Sequence, residues 1–263
     1  MLNIIKDILS TEGITRVGCI KIDDCEIINQ RILPEDTKSV ILFSIPYRST
    51  REIPKDGFSE YSRIYDYHNF CEELYSRTLK AMQAITGEHF YGFCDHSPIN
   101  EKTAIAKCGL GVIGRNSLFI DKVFGSFVFI GSILTSADID SHIFEIENCI
   151  NCGKCTDACP SSAILNQGIN RHACLSGISQ KKSKTDEEKS FLKKNNTVWG
   201  CDICQLVCPY NINAEISPIA YFKNTRIPHI TKEWLSEIDD DQFNKYAFSY
   251  KGRKIVLDNI EFK

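Results

Sequence analysis

Helix-period and strand-period stretches alternate along the first half of the chain. Leu2, Ile5, Ile8 and Leu9 recur at the spacing of one helix face, and Gly13 marks where that helix stops. RVGCIKI and SVILFSIPY are short runs rich in β-branched residues and read as strands. From Tyr67 to Ile85, the residues Cys71, Leu74, Tyr75, Leu79, Met82 and Ile85 share one helical stripe, which Gly87 ends. HFYGFC reads as a third strand and closes just before Asp95. A short helix from Asn100 to Lys107 follows, then the glycine-rich CGLGVIGRN. SLFI and FVFIGSIL read as two further strands joined through Lys122 to Gly125. This order predicts an α/β (α+β) layer over residues 1–140.

The pattern then changes. Residues 141–215 hold most of the cysteines, and their middle, QKKSKTDEEKSFLKKNN, reads as a charged, mobile loop. Residues 216–263 carry Pro218 and Pro228, then a helix with Trp234, Leu235, Ile238 and Phe243, which predicts a helical tail packed on the core.

Composition adds limits. The chain has 263 residues, 43% hydrophobic and 25% charged, which suits one large or two small globular domains. A net charge of −3 advertises neither a nucleic-acid nor a membrane partner. No apolar run approaches the roughly 20 residues of a membrane helix. MLNIIKDILSTEG alternates apolar and charged residues, unlike a secretion signal, so a cytoplasmic protein is expected.

Thirteen cysteines are an odd count, and a reducing compartment argues against a disulfide framework. Cys19, Cys25, Cys71, Cys94 and Cys108 are scattered and read as small buried hydrophobes. The other eight lie between Cys149 and Cys208. CINCGKCTDACP sets Cys149, Cys152, Cys155 and Cys159 in the bacterial ferredoxin run, C-x2-C-x2-C-x3-C-P. Tight two-residue gaps let three thiolates wrap one cube; the fourth, before Pro160, ligates the other cluster in two-cluster ferredoxins. CDICQLVCP supplies Cys201, Cys204 and Cys208, and Cys174 completes the set. The expected ligands are Cys149, Cys152, Cys155 and Cys208 for one 4Fe-4S cluster, and Cys159, Cys174, Cys201 and Cys204 for the second. Structural zinc uses separated C-x2-C pairs and needs no triplet followed by Cys-Pro.

The flanking residues carry a resemblance. DHSPINEKTAIAKCGLGVIGRNSLFIDKVFGSFVFIGSILT, from Asp95 to Thr135, together with GCDICQLVCPYN from Gly200, resembles the epoxyqueuosine reductase family. RIYDYH and HACLSG match that family more weakly. The resemblance implies two 4Fe-4S clusters and a cobalamin held between the α/β domain and a ferredoxin-like domain. It implies reduction of epoxyqueuosine in tRNA to queuosine, with electrons from a donor such as ferredoxin or flavodoxin. It also implies Asp95 as the proton donor; read alone, that residue is an Asx turn or helix cap. Asn116, Ser117, Ser126, Ser176 and Asp202 become candidates to hold the corrin's amide arms, although turn and capping roles suit all five without the family.

Other residues read more plainly. Glu101 is a first-turn helix residue favoured by the macrodipole. Gly109, Gly111 and Gly114 allow close backbone approach, and their helix-then-glycine order excludes a dinucleotide fingerprint. His68 reads as a packed or solvated residue rather than an axial cobalt ligand. The lysines from Lys181 to Lys194 offer a tRNA handle that Asp186, Glu187 and Glu188 dilute. Three departures from the family stand out. Arg115 replaces the lysine of its GKN segment, SGISQKK replaces a tyrosine-containing stretch, and the sequence stops at Lys263, near where the family's C-terminal helical-repeat domain is expected to begin. Two alternatives follow: a 4Fe-4S electron-transfer protein, or a cobalamin-dependent reductase of another small electrophile.

Overall fold

The computed structural model describes residues 1–166 and 168–261, so positions 262–263 of the expected tail lie outside the described residues. The first part runs α1 (Leu2–Ser10), β1 (Val17–Lys21), β2 (Ser39–Pro46), α2 (Tyr67–Thr86), β3 (Phe90–Cys94), α3 (Glu101–Lys107), β4 (Gly111–Ile113), β5 (Phe119–Asp121) and β6 (Val128–Thr135). The central sheet has the order β1-β2-β6-β3, and every neighbouring pair is antiparallel. All eight residues of β2 are buried, which explains its unbroken apolar run. Ile41, Phe43 and Ile45 pack with Ile5, Leu9, Phe70 and Leu74 of α1 and α2. Val40 and Leu42 point the other way, onto Ala104 and Ile105 of α3.

The expected elements from α1 to α3 are present, with Gly87 in the left-handed conformation at the end of α2 (φ 74°). SLFI and FVFIGSIL are present as β5 and β6, connected through Lys122 to Gly125. The element not expected is β4, inside the glycine-rich segment, with which β5 pairs. Gly111 makes this possible, since a Cβ there would stand 2.1 Å from the Ile120 carbonyl oxygen. The glycines thus serve a tight hairpin.

The cysteine-rich part adds α4 (Lys154–Ala158), β7 (Ile164–Leu165), β8 (Gly168–Ile169), α5 (Leu175–Ser179), α6 (Asp186–Lys194) and α7 (Ile203–Leu206). Here the charged stretch read as a mobile loop is ordered as α6. Thr185 caps it, accepting from the Glu188 N–H, while Glu188 accepts from the Thr185 N–H, a complete capping box. Asp186, Glu187 and Glu188 fill its first turn and Lys193 and Lys194 its last, as the helix dipole favours. Leu192 is buried against Leu175 and Ile178. Lys181 pairs with Glu188, and Lys189 with Asp186 at 2.9 Å.

The tail comprises α8 (Ala220–Thr225), α9 (Lys232–Glu237), α10 (Asp240–Phe243) and α11 (Arg253–Glu261). The single helix expected around Trp234 to Phe243 is broken at Ile238, which is extended, because Asp239 accepts from the Gln242 N–H (2.7 Å) and starts a new helix. The tail builds its own apolar cluster with Phe58, Val198 and Trp199. Asn259 of α11 donates to the Ser179 and Val198 carbonyls, both at 2.8 Å, and so ties it to the cysteine-rich part. Among the described residues no helix is long and apolar enough to cross a membrane.

Candidate functional site

Asp95 sits where β3 ends, in the left-handed region at φ 63°. Aspartate tolerates that conformation better than most residues, and such outliers collect at functional sites. Ser117 and Asn151 share it, at φ 63° and φ 52°. The N-terminus of α2 delivers two partners to the Asp95 carboxylate. The Tyr67 hydroxyl donates to Oδ2, and His68 Nε2 lies 3.7 Å from the same oxygen. Tyr67 is held by stacking on Phe129 of β6, with ring centroids 3.8 Å apart. Asp66 caps α2 and turns His68, whose Nδ1 lies 2.7 Å from Asp66 Oδ1. Desolvation, then the Asp66 charge, raise the Asp95 carboxyl above the ordinary aspartate value. The sequence signal for this arrangement was the RIYDYH run, whose tyrosine and histidine had no assigned partner.

Glu101 begins α3, as expected, but does not face solvent. Its Oε1 accepts from the Ser132 hydroxyl at 2.7 Å, and Asn100 rather than Glu101 caps the helix.

Four of the eight expected cluster ligands share one cavity. Cys149, Cys152, Cys155 and Cys208 line this small space of about 20 Å³, with Asn116, Ile120 and Tyr210 around them. Cys201 and Cys204 lie close enough to Cys174 that its charge adds to the shift that burial imposes, and both thiols are pushed up to about 12. Cys204 also feels Cys155, so the two sets adjoin. Cys159 Sγ lies 3.6 Å from Ser161 Oγ and accepts from the Ala163 N–H at 3.4 Å. Among the scattered five, Cys19, Cys71 and Cys108 are buried and Cys25 and Cys94 partly so. Burial pushes the Cys19 and Cys25 thiols up to about 12, leaving them protonated at neutral pH.

Four of the five candidate corrin contacts, Asn116, Ser126, Ser176 and Asp202, fall along the seam between the two parts. Ser126 donates to Gln205 (2.9 Å) and accepts from Asn211 (2.9 Å). Gln205 donates to Asp202 Oδ1 (2.9 Å), and Asp202 Oδ2 accepts from the Glu60 N–H (2.6 Å). Burial raises the Asp202 carboxyl to about 6. Asn116 accepts from the Leu118 N–H and reaches the Cys204 thiol. Ser176 accepts from Gln180, whose amide also donates to the Tyr61 hydroxyl; Tyr250 of the tail donates to Gln180 Oε1. Gln180 belongs to the SGISQKK departure, which therefore meets the tail.

Ser117 lines a different space, an open cleft of about 540 Å³ shared with Arg115, Asn148, Asn151 and Asn166. Arg115 donates to Asn151 Oδ1 (3.1 Å) and Asn166 Oδ1 (2.7 Å). The two contacts use separate guanidinium nitrogens, a planar spread that a single ammonium nitrogen does not reproduce. Its Nε is buried with no hydrogen-bond partner. Room, amide groups and an unpaired donor fit a large ligand rich in amides.

Comparison with known proteins agrees with this geometry. Residues 148–211 match the profile described as a 4Fe-4S double cluster binding domain. The chain is 30% identical over 258 residues to an epoxyqueuosine reductase of Lactococcus garvieae, covering 89% of this chain and 72% of that one. The fold superimposes on that of the epoxyqueuosine reductase of Streptococcus thermophilus with a TM-score of 0.84 at 24% identity, over 100% of this chain and 80% of the other. An epoxyqueuosine reductase crystallised with a tRNA-Tyr epoxyqueuosine-modified stem loop superimposes with a TM-score of 0.80 at 18% identity, over 99% and 80%. With a relative this similar over most of its length, the chain belongs to the epoxyqueuosine reductase family of oxidoreductases.

Proposed function

We propose that this chain reduces epoxyqueuosine in tRNA to queuosine, removing the epoxide oxygen as water. The observation that carries the reading is Asp95, a carboxyl of raised proton affinity held by Tyr67 at the end of β3. An epoxide oxygen leaves as water only if protons reach it, and a carboxylic acid at the site is the group that delivers one. The family's two 4Fe-4S clusters and cobalamin, when bound, supply single electrons and the reductive chemistry at carbon.

The chain's own residues then have distinct tasks. Cys149, Cys152, Cys155 and Cys208 would hold one cluster, and Cys159, Cys174, Cys201 and Cys204 the other. Asn116, Ser117, Ser126, Ser176 and Asp202 would hold the cobalamin, with Arg115 aiding through its unpaired Nε. Asp95, protonated, gives its proton to the departing oxygen, while Tyr67 fixes the carboxyl's direction. Cys152 is exposed, which suits entry of electrons from a soluble donor such as a ferredoxin or flavodoxin in the cytoplasm. The electron-transfer alternative leaves the Tyr67–Asp95 pair without a task.

The test begins with anaerobic purification, reconstitution with iron and sulfide, addition of hydroxocobalamin and desalting. About eight irons and about one cobalt per chain are expected, two four-thiolate clusters and one corrin. With a low-potential reductant, tRNA carrying epoxyqueuosine then yields queuosine, read by mass spectrometry of the digested nucleosides. Fully loaded protein that leaves this tRNA unchanged would move the substrate to another electrophile. Failure to retain cobalt would remove the mechanism altogether.

A second prediction concerns the ligand sets. Cys174→Ala is expected to retain about four irons per chain, the content of one cluster. An iron content equal to wild type would show Cys174 to be a bystander.

A further inference from the structure

Opening an epoxide to an alkene breaks two C–O bonds and makes one C=C bond between the same carbons. Two electrons enter from the low-potential donor, and the oxygen departs with two protons as water. Asp95 holds only one of those protons.

We propose that Glu101 supplies the second, passing it along the Ser132 and Ser97 hydroxyls to the Asp95 end of β3. The inference rests on the reductase reading above. Glu101 is the first residue of α3, and a glutamate serving only the helix dipole would face water. Here its carboxyl turns inward to the Ser132 hydroxyl at 2.7 Å. The Ser97 and Ser132 oxygens are 3.4 Å apart, both side chains are buried, and Ser97 lies two residues after Asp95 in the same turn.

The titratable groups that face Glu101 are acids or neutral. Asp95 and Cys94 come from β3 and its turn, and Tyr75 from α2. The Tyr75 hydroxyl is engaged with the Phe93 carbonyl at 2.5 Å. Lys102, the next residue in the chain, sends its ammonium to the Ser117 carbonyl (3.1 Å) instead. Burial, with a further contribution from Asp95, pushes the Glu101 carboxyl up to about 8 despite its hydrogen bond from Ser132. Glu101 therefore carries a proton at neutral pH, inside the protein and within electrostatic reach of Asp95.

Glu101→Gln tests this, because glutamine keeps the acceptor for Ser132 and the shape of the protonated acid. Iron and cobalt contents equal to wild type confirm that the variant folds. Its kcat at neutral pH is expected to fall roughly 10–100-fold with KM unmoved, somewhat less than for loss of a direct proton donor. Wild-type kcat falls as pH rises through about 8, and the variant lacks that limb. Two readouts do not depend on turnover. The infrared C=O stretch of a protonated carboxyl titrates near pH 8 in wild type, persists but titrates lower in Asp95→Asn, where the Asp95 charge is gone, and is missing from Glu101→Gln. A raised folded-state pKa contributes stability below the ordinary value and loses it as pH rises. Wild type therefore loses stability relative to Glu101→Gln between pH 4.5 and about 8. A loaded Glu101→Gln with wild-type kcat and the same basic limb overturns the inference alone. No turnover in fully loaded wild type overturns the reductase reading and the inference with it.

Discussion

Asp95→Asn is expected to lower turnover of epoxyqueuosine tRNA by about 10²–10⁴-fold, the usual worth of a positioned general acid. It should leave iron and cobalt contents unchanged. Asparagine is the informative replacement for two reasons. It accepts the left-handed backbone that Asp95 adopts at φ 63° about as well as aspartate does. Its amide oxygen can still accept from the Tyr67 hydroxyl. What it lacks is a proton to give. The pH dependence follows from the direction of the Asp95 shift. Its carboxyl is raised, so the protonated, competent form persists to higher pH than for an ordinary aspartate. Wild-type kcat/KM then declines as pH rises through that raised value, and the residual rate of Asp95→Asn shows no such decline. Tyr67→Phe separates direction from proton content, because it keeps the ring on Phe129 and removes only the donor to Asp95. A smaller loss than for Asp95→Asn is expected. Turnover of Asp95→Asn within threefold of wild type would show that the proton comes from elsewhere.

How much of this was legible in the sequence depended on how local each determinant is. The grouping of Cys149, Cys152, Cys155 and Cys208 was readable because a cluster imposes fixed short gaps, and these four line one cavity. The helices α1 and α2 and the strands β1, β2 and β3 were readable from periodicity, since each buries one face or both. The β4–β5 hairpin was not, because two three-residue strands with a glycine in one carry almost no periodic signal. Segment α6 was misread on charge alone, although Thr185 and Glu188 stood at capping-box spacing. The inward turn of Glu101 could not be read at all. It depends on Ser132, 31 residues away and brought beneath α3 only by the sheet.

The largest structural effect is expected at Arg63, another residue whose task was invisible in sequence. Its side chain is 1% exposed. The guanidinium donates to both oxygens of Asp56, one at 2.9 Å, and to the Phe58 and Pro228 carbonyls at 3.1 and 3.3 Å. The Arg63 carbonyl accepts from the Ile227 N–H, and Asp56 accepts from the Ile230 N–H, so the pair stitches the loop before α2 to the tail. Glu60 beside it grips Arg226 in a forked contact at 2.7 and 3.2 Å, and its N–H donates to Asp202 in the second cysteine run. Burial pushes the Asp56 carboxyl up, but Arg63 and the Ile230 N–H outweigh it and hold the group below the ordinary value. Arg63→Met leaves that carboxylate buried without its cation, a loss of about 3–5 kcal/mol. This corresponds to a fall of about 10 °C in the thermal midpoint for a chain of this size. Anaerobic unfolding of cluster-loaded protein, followed by fluorescence of Trp199 and Trp234, both at the tail's apolar cluster, and by cluster absorbance, reads the effect at that cluster and at the cysteine ligands separately. A carboxyl whose folded-state pKa is lowered contributes stability above its ordinary value and loses it in acid. The gap between wild type and Arg63→Met should therefore narrow as pH falls through the lowered Asp56 value. Adding Asp56→Asn to Arg63→Met should recover part of the loss, because the stranded charge is gone. Equal midpoints for the single and double variants would instead assign the cost to lost packing around Arg63.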